Sequence, residues 1–164
     1  MSEFVVRAPE PAELGAVGEL TVAAYRVDGF LKANGGYARE LADAERRARE
    51  AQLLVAASND GELLGSVTIV QPGTPYAEIS REGEVEFRML ATHPAARGRG
   101  VGEALIHAVL ERARELDARQ VVMSSLEAMK TAHRLYARIG FTRLPERDWQ
   151  PVPGFWLRAF SLPL

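Results

Sequence analysis

The chain contains no cysteine. That excludes disulfides, a thiol nucleophile and thiolate metal sites. Histidine is scarce too: His93, His107 and His133 stand apart without metal-ligand spacing and read as ordinary residues, so no metal is expected. Lysine occurs only as Lys32 and Lys130, and the other positive charges are arginine. The formal net charge is -2, which supplies neither a field for nucleic acid nor an acidic tail. No signal peptide and no apolar run of bilayer length are present. The expectation is a cytoplasmic protein with no membrane or nucleic-acid partner. What remains is an ordinary globular balance, 47% hydrophobic and 26% charged over 164 residues. That length suits one domain, 1–164, with a sizeable core.

Patterning predicts an edge strand at Glu3 to Ala8, ended by Pro9 and Pro11. Leu14, Val17, Leu20, Ala23 and Ala24 recur at helical spacing from Pro11 to Tyr25. A second helix is expected from Gly36 or Tyr37 to Ala51. Strands at Gln52 to Ala57 and Leu63 to Val70 are joined by the turn Asn59-Asp60-Gly61. A loop, Gln71 to Glu82, leads into a strand ending Leu90-Ala91-Thr92. There Glu84, Glu86 and Arg88 share one face, opposite Val85, Phe87 and Met89. Val101, Leu105, Ile106, Val109, Leu110 and Ala113 then mark one face of a long helix. A short strand, Val121 to Met123, is closed by Ser124-Ser125. A further helix carries Ala132, Leu135, Tyr136 and Ile139, with Gly140 as its stop and Phe141 as the clasp beyond. Two extended pieces follow, near Phe141 to Leu144 and Phe155 to Leu162. This order describes a mixed α/β sheet with helices on both faces.

The chemistry concentrates in Arg97-Gly98-Arg99-Gly100-Val101-Gly102, a glycine-rich loop heading the long helix. Glycines strip side chains from the backbone where helix-end N–H groups stand unpaired and the peptide dipoles leave positive charge. Such a place suits a phosphate or pyrophosphate. A P-loop would need Gly-Lys-Ser/Thr, and no lysine is here. The dinucleotide fingerprint would need G-x-G-x-x-G and an acidic residue closing the next strand, where Ser124-Ser125 stand instead.

The loop resembles motif A of the GNAT superfamily of N-acetyltransferases, Arg/Gln-x-x-Gly-x-Gly/Ala, met by Arg97, Gly100 and Gly102. The resemblance continues through Leu90-Ala91-Thr92 and Pro94, and through Leu135-Tyr136-x-x-x-Gly140-Phe141. It implies the GNAT fold: a mixed, mostly antiparallel central sheet of about seven strands, splayed at the cofactor site. It also implies acetyl-CoA as the acyl donor. Backbone groups of Gly98, Arg99, Gly100, Val101, Gly102 and Glu103, with Arg97 opening the loop, would wrap its pyrophosphate. Leu90, Ala91 and Thr92 would pair with its pantetheine arm, and an N–H near Ala91 or Thr92 would steady the oxyanion. Tyr136 corresponds to the family's general acid toward the CoA sulfur, and Glu86 to the strand glutamate that serves some members as base. Met129 occupies the place where many members carry an asparagine, so that contact falls to Ser124, Ser125 or backbone.

The resemblance further implies N-acyl transfer to a primary amine by direct attack on the thioester in a ternary complex. A small-molecule or amino-acid-like acceptor is favoured over a protein, and a homodimer is compatible with the family. Acceptor choice would lie in Tyr25 to Tyr37, Gln71 to Gly83 and Arg147 to Trp156. Their aromatics (Tyr25, Phe30, Tyr37, Tyr76, Trp149, Phe155, Trp156) could wall a pocket or be plain core. The alternative is a non-catalytic acyl-CoA-binding sensor, which would keep the glycine loop and need no acid or base.

Overall fold

The computed structural model describes residues 3–31 and 36–164. Of the acceptor segment expected at Tyr25 to Tyr37, residues 32–35 lie outside that description. The chain divides into two compact units, Met1–Ile69 with Met89–Val109, and Val70–Arg88 with Leu110–Leu164.

In the first unit β1 (Phe4–Arg7), β2 (Gln52–Ser58) and β3 (Leu63–Val70) form an antiparallel meander, β1 on β2 and β2 on β3. The β2–β3 turn forms where Asn59-Asp60-Gly61 predicts it: Gly61 sits at φ +85° and donates its N–H to the Ser58 carbonyl at 2.8 Å. After a one-turn 3-10 segment at Pro11–Glu13, α1 spans Leu14–Val27. The single helix expected to run to Ala51 is two, α2 (Gly36–Ala42) and α3 (Ala44–Glu50). Asp43 divides them by capping α3, its carboxylate accepting the Arg46 N–H at 3.1 Å. Gly18 lets α1 close on that break, since a methyl there would lie 2.2 Å from the Ala42 carbonyl oxygen.

Val55 stands opposite Ser66 in register, so the two share a face. On it Leu53 and Val55 pack with Val17 of α1 and Ala44 of α3. Gly65 belongs to the other face, where a methyl would lie 2.7 Å from Val101 Cγ1 and 3.1 Å from Leu105 Cδ1 of α4 (Val101–Glu115). Helices therefore cover both faces, as expected.

In the second unit β4 (Glu84–Thr92) begins, followed after α4 by β5 (Gln120–Leu126), α5 (Lys130–Ile139), β6 (Thr142–Arg143), β7 (Trp149–Val152) and β8 (Phe155–Pro163). β5 and β8 pair antiparallel along their length, and β6 and β7 each pair antiparallel with β8. β4 and β5 pair parallel, and their register runs just from Glu84↔Gln120 to Glu86↔Val122. Beyond that point β5 continues on β8 to Leu126. Among the described residues eight strands form where about seven are expected. The addition is β7, hidden in the sequence by Pro151 and Pro153. Ser124 and Ser125 lie inside β5 rather than closing it. Gly140 ends α5 at φ +122°, and its N–H reaches the Ala137 and Tyr136 carbonyls, as its position predicts. The fold is thus mixed α/β with a mostly antiparallel sheet.

Glu84 is the electrostatic hub of the second unit. Its carboxylate has no exposed surface and takes both Arg147 guanidinium nitrogens at 2.6 and 2.8 Å. It also accepts from the Gln120 amide at 2.5 Å and the Arg81 N–H at 2.8 Å. Burial opposes ionisation, but these donors outweigh it and hold the carboxyl at about 2, below its ordinary 4.5. A depressed folded value means this stabilisation is complete above about pH 4.5 and lost as pH falls toward 2. Its loss should cost about 3 kcal/mol. Urea melts at pH 7 and pH 3 should show about 2 kcal/mol of that loss in the native protein, the rest following as pH falls toward 2, and Glu84→Gln, already destabilised at pH 7, should show much less of it. Equal pH sensitivity in the two proteins would refute the assignment.

Among the described residues no helix is long and apolar enough to cross a membrane. None of their His, Asp and Glu side chains form a group of three or more able to hold a metal ion.

Candidate functional site

The first unit supplies a cradle. Gly98 and Gly100 both lie in the left-handed region, at φ +78° and +79°, and a methyl on either would meet nothing within 4 Å. The loop bends backward at two points with open space along it, a course that side-chain-bearing residues adopt only at a cost. The first bond of α4 runs from the Ala104 N–H to the Gly100 carbonyl at 3.0 Å. The amides of Val101 and Gly102, ahead of that bond, thus point out of the positive end of a 15-residue helix.

The two loop arginines are differently engaged. The Arg97 guanidinium grips the Asp28 carboxylate at 2.7 and 2.8 Å, and that pairing strengthens its hold on its proton against partial burial. Its side chain ties the loop to the end of α1. Arg99 forms an exposed pair with Glu3 at 3.3 Å, the kind of contact that contributes little.

Leu90, Ala91 and Thr92 end β4 with Ala91 buried and its neighbours half-buried. Just before them Met89 adopts φ +56°, left-handed backbone inside a strand. Left-handed backbone within a strand is the conformation found at β-bulges, although burial still alternates from Phe87 to Thr92. A buried methionine in this region carries strain of about 1–3 kcal/mol, of the kind that clusters at binding sites. Nothing in the residue type signals it.

The second unit holds the other two expected residues. Tyr136 is buried, its ring caged by Phe87, Phe141 and Phe160 with centroids at 6.0, 6.1 and 5.7 Å. Burial pushes its phenol well above its ordinary pKa, and the hydroxyl is hydrogen-bonded to Ser125. Ser125 Oγ also lies 3.2 Å from His133 Nε2. Burial, aided by Lys130, lowers the affinity of His133 for a proton. Ser125 and His133 therefore form a polar string with Tyr136 that sequence reading misses for the histidine. Its only signal is the i, i+3 spacing of His133 and Tyr136 on one helix face.

Glu86 follows Glu84 on the same face of β4, opposite Phe87, so its side chain leaves the strand away from the Tyr136 cage. It has no exposed surface. Its Oε1 accepts from the N–H of Glu78, Ile79 and Ser80 at 3.0, 3.3 and 3.2 Å, and from the Ser80 hydroxyl at 2.8 Å. Its Oε2 accepts from the Glu78 N–H at 3.3 Å.

The expected aromatic wall is spread over both units. In the first, Tyr25 and Tyr37 meet edge to face at 6.0 Å. In the second, Tyr76 is buried, Trp149 reaches Ser124 Oγ at 3.4 Å, and Phe155 and Trp156 are exposed.

Residues 20–141 match the family model described as Acetyltransferase (GNAT) family. A mycothiol acetyltransferase of Cellulomonas flavigena is 33% identical over 111 residues, 63% of this chain and 32% of that protein. An N-acetylaspartate synthetase of Danio rerio is 34% identical over 77 residues, 46% of this chain and 27% of that protein. The chain thus spans about a third or less of the length of these curated relatives. Among solved structures, an acetyltransferase of the GNAT family from Staphylococcus aureus Mu50 superposes with a TM-score of 0.78. It covers 98% of this chain and 99% of that one at 13% identity, a likeness of fold.

Proposed function

Because the chain belongs to the GNAT acetyltransferase family, we propose that it moves an acetyl group from acetyl-CoA to a primary amine by direct attack within a ternary complex. Residues 1–164 act as one cytoplasmic acetyltransferase domain in this reading. The observation that carries it is the pair of left-handed glycines, Gly98 and Gly100, opening onto empty space at the head of α4. A pyrophosphate fits such a cradle, because amides can reach its oxygens with no side chain between. Gly98, Arg99, Gly100, Val101, Gly102 and Glu103 would supply those amides. Arg97 would fix the loop through Asp28 and contribute its backbone. Leu90, Ala91 and Thr92 would line the pantetheine arm.

Tyr136 is the proposed acid. Burial keeps the phenol protonated while making it a weaker donor, and its hydroxyl would hand that proton to the departing sulfur. The incoming ammonium must first lose a proton. The resemblance offers Glu86 for this step, but its enclosed carboxylate favours a path through water. The acceptor is a small amine, bordered by the Gln71 to Gly83 loop. The relatives' names, which carry mycothiol and N-acetylaspartate, support a small molecule over a protein.

Thermal unfolding with acetyl-CoA, CoA, longer acyl-CoAs, NAD and ATP in parallel tests this reading. Acetyl-CoA at a hundred times its Kd should add about 2.7 kcal/mol of stability, and primary amines should then release CoA. Stabilisation by NAD or ATP alone would overturn it. Stabilisation by acetyl-CoA with no amine turned over would favour an acyl-CoA sensor.

A further inference from the structure

The segment from Tyr76 to Arg81 has neither helix nor strand of its own. Six of its backbone groups are nevertheless held by four side chains. Glu86 takes the N–H of Glu78, Ile79 and Ser80. Glu84 takes the N–H of Arg81. Arg88 donates to the Tyr76 carbonyl at 3.1 Å, and Arg147 to the Ile79 carbonyl at 3.1 Å. Arg88 also pairs with the Glu78 carboxylate at 3.1 Å. Three of these four side chains occupy alternate positions of β4, so one face of a single strand is a template for the loop.

Glu86 is the centre of that template. A loop that converges three N–H groups and a hydroxyl on one point is an anion nest, and here the anion is the chain's own carboxylate. Oε2 carries only the 3.3 Å contact from the Glu78 N–H, but the whole side chain is enclosed, so neither oxygen faces solvent. A base needs a lone pair open to its substrate, and the fully buried Glu86 offers none.

We propose that Glu86 is a positioning residue: it locks the Tyr76–Arg81 loop as the wall of the amine pocket and does not take the amine's proton. This rests on the reading that the loop borders the acceptor.

The test compares the native protein with Glu86→Gln and Ser80→Ala. The first turns an acceptor oxygen into a donor facing other donors; the second removes only the 2.8 Å hydroxyl contact and spares the carboxylate. Amide exchange at Glu78, Ile79 and Ser80 should accelerate at least ~10-fold in Glu86→Gln, and less in Ser80→Ala. Kinetics would use acetyl-CoA and whichever primary amine releases CoA fastest. KM for the amine should rise in both variants, with KM for acetyl-CoA unchanged and the acidic limb of the kcat/KM profile retained. The proposal is overturned if Glu86→Gln lowers kcat by ~10²–10⁴-fold, loses that limb and keeps the amides protected, the pattern of a lost base. If Glu86→Gln does not fold, Ser80→Ala decides: a raised amine KM supports the wall, an unchanged one overturns it. If no amine is acetylated, the acetyl-transfer reading fails separately, and unchanged exchange in Glu86→Gln still refutes the lock.

Discussion

Gly100→Val is expected to abolish acetyl-CoA binding while the protein stays folded. In the structure a methyl at Gly100 meets nothing within 4 Å, so the fold itself has room for a side chain. The folding penalty comes chiefly from holding a β-branched residue at φ +79°, about 1–3 kcal/mol. The empty space is where phosphate oxygens would approach the amides. Each such bond to a charged group contributes about 1.5–3 kcal/mol, so two lost bonds weaken binding by roughly 10²–10⁴-fold. Titration calorimetry with acetyl-CoA, beside a thermal melt, separates the two effects. Gly65→Ala is the contrasting case. Its methyl would press within 2.8 Å of the Ala91 carbonyl oxygen, so its penalty should appear in the melt. Normal acetyl-CoA affinity in folded Gly100→Val would remove the cradle from the proposed function.

Tyr136→Phe should lower kcat by about 10²–10³-fold with acetyl-CoA affinity within a factor of three. The ring survives the substitution, so its packing against Phe87, Phe141 and Phe160 survives as well. Only the hydroxyl is removed, and with it the proton for the leaving sulfur. Ser125 keeps His133 as a partner at 3.2 Å, which limits the cost to stability. Steady-state kinetics and direct binding on the same preparation provide the check. An equal loss in turnover and affinity would mean that the phenol serves binding and not acid catalysis.

The elements legible in the sequence are those specified by neighbours along the chain. Asn59-Asp60-Gly61 predicts the β2–β3 turn because Gly61 alone satisfies a local φ. Gly140 ends α5 for the same reason, and the spacing of Val101, Leu105 and Ile106 predicts the buried face of α4. The glycine loop is legible because its chemistry is backbone chemistry, written directly as missing side chains. β7 escapes because Pro151 and Pro153 hide a strand that exists only through its pairing with β8.

Glu86 marks the boundary between the two kinds of knowledge. Alternation along a strand places it on a face with Glu84 and Arg88, and a glutamate on such a face reads equally well as a base or as one of a solvated charge pair. Its partners lie six to eight residues earlier, in a loop with no periodicity to announce where its amides point. The left-handed turn at Met89, the Asp28 grip on Arg97 and the Ser125–His133 string share that origin. Local steric preference and hydrophobic period are properties of a residue and its near neighbours, so element order, the glycine cradle and the family were open to sequence reading. The duty of each charged or hydroxylated side chain depends on which distant backbone group folding brings within about 3 Å, and only the tertiary structure decides that.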